Sequence, residues 1–470
     1  MEKFLLARLV KKKTSRKAVL KPDLKWIKKS DLDKDLQKKL TEIYKNRHQG
    51  NHYYIGMVPF VGNPTFVNEN PYTSMPYPDQ GFRLLALYRY WNIIQYYYPN
   101  RHLTDKDWNV VLEEYIPKFI NAQNELEYEI AALQLITEIN DSHAAPFWGD
   151  KVFENKGNKY APFQVQFIEN QLVLTHYYNP ELIDSEKIKI GDIITHIEGN
   201  SIDYLIDSLK AIYPASNTGS LMRDISNNIL RSTKSKIDIK YKSNNQNKET
   251  TIDLYDYKLL NIDNKNSKES KDKCFKLLDE NIGYINLETI KNTDILLIQN
   301  KFKNTKGIII DIRNYPETYV PFTLGTLFVE KSTPFVKSLT GNINNPGEFT
   351  FTNPLNIPKS KQVYNGKIIV LVNEQSQSRA EFTAMAIRAG ENTTIIGSKT
   401  AGADGEISTL FLPGGISTMF SGIGIYYPNG TETQRIGIIP DIVVKPTIEG
   451  VKSGKDEILD KAIEIINSEN

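Results

Sequence analysis

Between about residues 80 and 140 the apolar positions recur every three or four residues. Leu84, Leu85, Leu87, Tyr88, Tyr90, Trp91, Ile94 and Tyr97 form one series. Val111, Leu112, Tyr115, Ile116 and Phe119 form a second, and Ile130, Leu133, Leu135 and Ile136 a third. That spacing gathers side chains on one face of a helix, so the pattern predicts a helical region with aromatic-rich packing. Tyr96, Tyr97 and Tyr98 read as its core and rim. From about residue 160 the period shortens to two. Phe163-Gln164-Val165-Gln166-Phe167 alternates, Leu172-Val173-Leu174 follows a turn at Glu169-Asn170, and residues 188–200 read as a strand bracketed by glycine turns. Residues 237–241 and 251–254 close a small β module, with 244–247 expected as a loose hairpin loop.

After a polar connector at 264–273, short apolar strands at 282–287, 307–312, 368–371 and 394–397 alternate with helical segments. Such runs are buried on both faces, which predicts an α/β layer with a mostly parallel sheet. The fold class expected is multidomain α/β, α+β overall. Its parts are an N-terminal extension over 1–75, a helical region over 76–158, a β-rich module over 159–257 and an α/β domain over 274–470.

Composition narrows the chemistry. A chain of 470 residues exceeds one domain, and a net charge of +2 gives no argument for nucleic acid. The local exception, Lys11, Lys12, Lys13, Arg16, Lys17 and Lys21, reads as a solvated basic tail. Cys274 is the only cysteine, which excludes an internal disulfide framework and a CxxC site. Phe4-Leu5-Leu6-Ala7 is too short for a signal core, and no stretch approaches the ~20 apolar residues of a membrane span. No HExxH occurs, and residues 397–402 begin like a phosphate loop but continue Ala403-Asp404. No metal or cofactor is implied.

The segment Ser376-Gln377-Ser378-Arg379-Ala380-Glu381 lies between a buried strand and a helix. In α/β sheets reactive groups collect beyond the carboxyl ends of the strands, where a helix N-terminus stabilises an oxyanion. Ser378 is in that position, but it also opens an S-x-x-E capping box, and it lacks the glycines of G-x-S-x-G. On the residues alone, nucleophile and cap both stand. Of the six histidines, His48, His52 and His102 lie in polar contexts and His176 and His196 in the β module. His143 ends an apolar helix after Asn140-Asp141-Ser142, and on the residues alone it reads either as a helix-end polar residue or as a base.

Taken in order, several segments resemble the tail-specific, C-terminal-processing serine peptidases and their tricorn-like and interphotoreceptor-retinoid-binding relatives, over roughly residues 80–450. They are Gly81-Phe82-Arg83-Leu84, Asp141-Ser142-His143-Ala144, Ile190-Gly191-Asp192-Ile193, Gly307 to Asn314, Ser376 to Glu381, Gly397 to Gly402 and Gly437 to Ile442. The resemblance implies a catalytic sheet of the crotonase-like or ClpP-like type. It makes Ser378 the nucleophile and Ser376 a turn residue. The lysine of the processing branch falls at Ala403, so that base is absent, and Lys399 lies four residues early. Ser142-His143 instead resembles the tricorn-like branch, with His143 as general base and Ser142 holding the assembly. The family's glutamate position falls at Gln434, which can orient a neutral imidazole but cannot pair with imidazolium, so the partner of His143 is expected at Glu432, on the same strand face, with Gln434 as the alternative. Backbone N–H groups of Arg379 and Glu317 are the expected oxyanion donors. The β module resembles a PDZ domain, with Ile190, Gly191 and Asp192 in its peptide-binding strand, and such modules add an extended peptide as a strand and capture its carboxylate.

The function implied is a serine endopeptidase cleaving unfolded or C-terminally presented polypeptides through an acyl-enzyme. The alternative is a catalytically inactive protein on the same fold that binds a peptide or an apolar ligand, a reading favoured by Ala403, Gln434 and Glu317. The expected partner is a polypeptide substrate, with no nucleic acid and no integral membrane segment. Relatives of this kind are commonly exported, and the resemblance suggests the same here, with the signal absent or removed.

Overall fold

A computed structural model describes residues 17–29, 31–184, 186–262 and 273–468. The basic residues at 11–16 and the connector at 264–272 lie outside the described residues. The predicted helical region forms helices α1 (Gln80–Tyr97), α2 (Trp108–Asn121) and α3 (Glu125–Thr137). Asp79, Asp107 and Asn124 cap them by accepting first-turn N–H groups. Their apolar faces bury Tyr90, Ile94, Tyr115, Phe119, Tyr128 and Leu135. These faces do not close on one another alone. A hairpin of Ile407–Leu412 and Ile416–Ser421 adds Leu410, Leu412, Ile416 and Phe420 to the same core. The Tyr128 hydroxyl fastens it by donating to the carbonyl of Pro413 at 2.6 Å. The hairpin thereby carries Ser421 to the turn that follows α3.

The β module is an antiparallel sheet of β1 (Phe163–Ile168), β2 (Gln171–Tyr177), β3 (Ile193–Ile197), β4 (Lys236–Ser243) and β5 (Gln246–Asp253), in that spatial order. Helix α4 (Thr218–Ser226) packs against β1. Of the strand expected over 188–200, only β3 pairs as a central strand, because Gly191 at φ +88° turns the chain before it. The loose loop expected at 244–247 is instead a two-residue turn. Asn244 and Asn245 both take left-handed φ, +48° and +64°, and Ser243 pairs with Gln246. Two asparagines tolerate that conformation, whose twist matches the flanking strands.

The third unit is a six-stranded sheet of β6 (Phe275–Leu278), β7 (Ile282–Asn286), β8 (Gly307–Asp311), β9 (Lys367–Val372), β10 (Thr393–Gly397) and β11 (Ile442–Val443), in that order. β6 is antiparallel to β7 and the remaining pairs are parallel. Side chains alternate across it. Ile308, Ile310, Ile368 and Val370 meet Ala384 and Ile387 of helix α5 (Arg379–Arg388), whereas Ile309, Ile369 and Ile396 meet Ile458, Ala462 and Ile466 of helix α6 (Glu457–Asn467). Burial on both faces explains the unbroken apolar runs. The molecule is a multidomain α/β protein.

Candidate active site

Ser378 stands at the start of α5, on the turn that leaves β9. Its backbone takes φ +56° and ψ −115°. That is the first central position of a type II′ turn, ordinarily a glycine conformation, and it costs of order 1–3 kcal/mol in another residue. Two acceptors hold it. The Ser378 N–H donates to the carbonyl of Ala403 at 2.9 Å and to Glu381 Oε2 at 3.1 Å. Glu381 is wholly buried and also accepts from Thr400 Oγ1 at 2.5 Å and from the N–H groups of Gly402 and Ala403 at 2.8 and 3.1 Å. Burial pushes its carboxyl up, and these donors oppose the shift. Cap and nucleophile are therefore not competing roles for Ser378, since the capping box fixes the turn. Ser376 is a buried turn residue whose hydroxyl donates to the carbonyl of Ile312 at 2.7 Å.

His143 lies in a single 3₁₀ turn, Ser142–Ala144, just after α3. Its Nδ1 is 2.8 Å from Ser421 Oγ, and the Ser421 hydroxyl donates to Asp141 Oδ1 at 3.0 Å. Asp141 is fully buried and also accepts the N–H groups of His143 and Ser421, at 3.0 and 2.7 Å. A carboxylate only accepts, so the Ser421 proton points to Asp141 and Nδ1 must bring its own. The unprotonated nitrogen is then Nε2, which is buried and has no hydrogen-bond partner. Burial lowers the pKa of His143, with the charge of Asp141 opposing. His143 and Ser378 line one cavity of about 560 Å³, together with Gln377, Arg379 and Asp404. No hydrogen bond joins the two in this structure.

The charged partner expected at 432 or 434 is elsewhere. Glu432 pairs in a β-bridge with Tyr426, and its carboxylate meets His102 Nε2 at 2.6 Å and the Tyr426 hydroxyl at 3.0 Å. Gln434 is buried and donates to Ser216 Oγ at 3.5 Å, and Ser216 in turn bonds Ser142. Asp141 and Ser421 occupy the place beside Nδ1. Ser142 anchors the turn by exchanging hydrogen bonds with Ser216, its N–H to Ser216 Oγ and the Ser216 N–H to its own Oγ, and by donating to Ser220 Oγ of α4.

Two further expectations are corrected. The Glu317 N–H donates to the carbonyl of Leu287 at 3.2 Å, so it is not available to an oxyanion. The Arg379 N–H sits at the first helical position, which has no acceptor within the helix. The Arg379 guanidinium straps the 315–317 loop, donating to the carbonyls of Pro316 and Glu317. In the β module, the N–H groups of Gly191 and Asp192 donate to Leu174 and Lys189 carbonyls, and the Lys452 side chain fills the space where a Cβ at Gly191 would project. That loop is closed to a peptide carboxylate. The sheet has two edges, β1 and β5, each paired with a single strand among the described residues, and β1 is the edge beside helix α4.

Helix α4 ties these parts together. Arg223 donates to the Glu374 carbonyl and to Gln377 Oε1 on the turn that holds Ser378, Asn217 donates to the carbonyls of Thr400 and Ala401, and Ser220 accepts from Ser142. Sequence reasoning missed Asp141, Ser421, Asn217 and Arg223. Only Asp141 carried a signal, its place two residues before His143. Among the described residues no group of three His, Cys, Asp or Glu side chains is arranged to hold a metal ion, and no helix is long and apolar enough to cross a membrane.

Residues 281–444 match the model of peptidase family S41. A carboxy-terminal-processing protease of Bartonella bacilliformis is 38% identical over 93 residues, covering 20% of this chain and 21% of that protein. The chloroplastic carboxyl-terminal-processing peptidase 3 of Arabidopsis thaliana is 27% identical over 168 residues, covering 34% and 31%. The chain thus matches well under half the length of these curated relatives. Its fold is similar to that of mature CPAF, solved in complex with lactacystin, with a TM-score of 0.63 at 15% identity over 83% of this chain and 99% of that one.

Proposed function

Because the chain belongs to peptidase family S41 over residues 281–444, we propose that it is a serine peptidase in which Ser378 is the nucleophile and His143 the base. The observation that carries this reading is the pairing, in one cavity, of a serine in a strained turn with a buried imidazole whose Nε2 is free. Ser378 Oγ attacks the scissile carbonyl carbon while His143 Nε2 takes the hydroxyl proton. The oxyanion that forms meets the Arg379 N–H and the positive end of α5. As the C–N bond breaks, His143 returns the proton to the leaving amine, and an acyl-serine remains. Water then adds to the acyl carbon, giving its proton to Nε2, and the carboxylic acid departs as Ser378 regains its proton. Asp141 acts through Ser421, holding Nδ1–H and stabilising the imidazolium.

The substrate is a polypeptide in extended form, because β1 offers a free strand edge to pair with one. Helix α4 connects that module to the site loops, which suits a role for it in substrate delivery or gating. The second reading, a binding protein without turnover, is favoured by the engaged Glu317 N–H and by the absence of a Ser378–His143 hydrogen bond. Incubation with an unfolded polypeptide, followed by mass analysis of the fragments, separates them. Cleavage lost in Ser378→Ala supports the peptidase; an intact, bound polypeptide supports the binder.

A further inference from the structure

Asp404 lines the same cavity but has no part in the chemistry above. It is 3% exposed, its Oδ1 accepts the N–H of Gly405 at 2.7 Å, and its Oδ2 is buried with no hydrogen-bond partner. A buried carboxyl oxygen left unpaired is unfavourable, and most such atoms in native proteins are satisfied. The neighbouring cations do not serve it. Arg379 is committed to the carbonyls of Pro316 and Glu317, and Arg223 to Asp224, Glu374 and Gln377. The nearby Glu381 adds negative charge, not a counterion. Tyr319, Phe382, Ile423 and Ile425 make the cavity walls apolar, and Glu406 lines it as a second acid.

A cavity with apolar walls and a buried, unpaired acid in its lining suits one kind of side chain, a methylene stem carrying a cation. An apolar side chain would leave Oδ2 unpaired, and an acidic one would meet like charge. We propose that Asp404 is a specificity-determining residue that selects a lysine or arginine side chain of the polypeptide at the Ser378 cavity. This rests on the peptidase reading for the substrate's class, but not for its capture.

Glu381, Tyr319 and Tyr427 interact electrostatically with Asp404, and Glu406, Arg379 and His143 line the same cavity. Burial, with the charge of Glu381 adding to it, pushes the Asp404 carboxyl well above the usual carboxylate range, so a cation entering the cavity must draw it into its ionised form. Preference for the cation therefore rises with pH.

The test uses the full chain with Ser378→Ala, so that bound peptide is not turned over, and matched peptides bearing lysine or uncharged norleucine at each position in turn. At one position lysine should bind about 10- to 100-fold more tightly, the range of a charge-assisted hydrogen bond. Adding Asp404→Asn should bring that ratio within about threefold of unity. Failure of lysine to win at any position, or a preference that survives Asp404→Asn, overturns the proposal. Should Asp404→Asn not fold, the lysine-to-norleucine ratio on Ser378→Ala from pH 5.5 to 8 decides; a rise is expected, and a flat ratio contradicts it. Wild-type cleavage of norleucine peptides with no lysine preference sinks this proposal alone. Lysine preference in binding with no wild-type turnover sinks the peptidase reading and leaves the cation pocket standing.

Discussion

Behind Ser378, Glu381 accepts four hydrogen bonds; on the cavity side, Asp404 Oδ2 and His143 Nε2 accept none. Both regions are buried, and both contain acidic groups raised by that burial. The difference is satisfaction. Donors around Glu381 join the Ser378 turn to the 400–403 loop, so this carboxyl fixes geometry. The cavity groups retain free valences, which is the state expected of atoms that meet a substrate. The same contrast divides the His143 ring. Nδ1 is bound through Ser421 to Asp141, and Nε2 is open.

The comparison can be broken from either side. The largest effect is expected at Ser421→Ala, which leaves Asp141 3.9 Å from Nδ1 without the relay. We expect kcat to fall by about 10²-fold or more with KM little changed, measured on a peptide substrate. Next is Glu381→Gln. Its amide nitrogen must face two of the present donors, and unfolding should show a loss of about 3 kcal/mol. Here the pH dependence of activity sharpens the contrast. Because burial holds the His143 pKa below its ordinary value of about 6.5, the acid limb of kcat/KM should have its midpoint below that value.

Asp404→Asn tests the unsatisfied side through stability. The folded carboxyl titrates above the unfolded one, so its stabilising contribution is complete below the unfolded value, about 3.8, and is lost as pH rises through the folded value. The asparagine variant does not titrate. Its stability relative to wild type should therefore increase with pH across that window, by about 1–3 kcal/mol in denaturant titrations, with no increase below pH 3.8. The smallest effect is expected at Glu432→Gln. That carboxylate serves His102 at a partly exposed site, and kcat/KM should change by less than about twofold.

Much of the architecture was legible because local periodicity determines it. The three helices and the β module lie where spacings of 3.6 and 2 put them, and the parallel strands lie on the unbroken apolar runs. What escaped was non-local. Nothing in Met419-Phe420-Ser421 says that this hairpin completes a helical core formed 300 residues earlier, yet that packing is what brings Ser421 to His143. The analogy that pointed to Gln434 leads only to Ser216, which exchanges hydrogen bonds with Ser142 and not with the imidazole. Glu317 failed for a similar reason. Its amide donates to Leu287, a contact that no local pattern encodes. Asp141 alone was within reach of sequence reasoning, since its side chain accepts the amide of His143 two residues on.

The central claim is that His143 activates Ser378. It is tested most directly by intact mass after exposure to a small fluorophosphonate, on wild type, Ser378→Ala and His143→Ala. One stoichiometric adduct is expected on wild type and none on either variant. A folded wild type that takes no adduct, or labelling that survives Ser378→Ala, would contradict it.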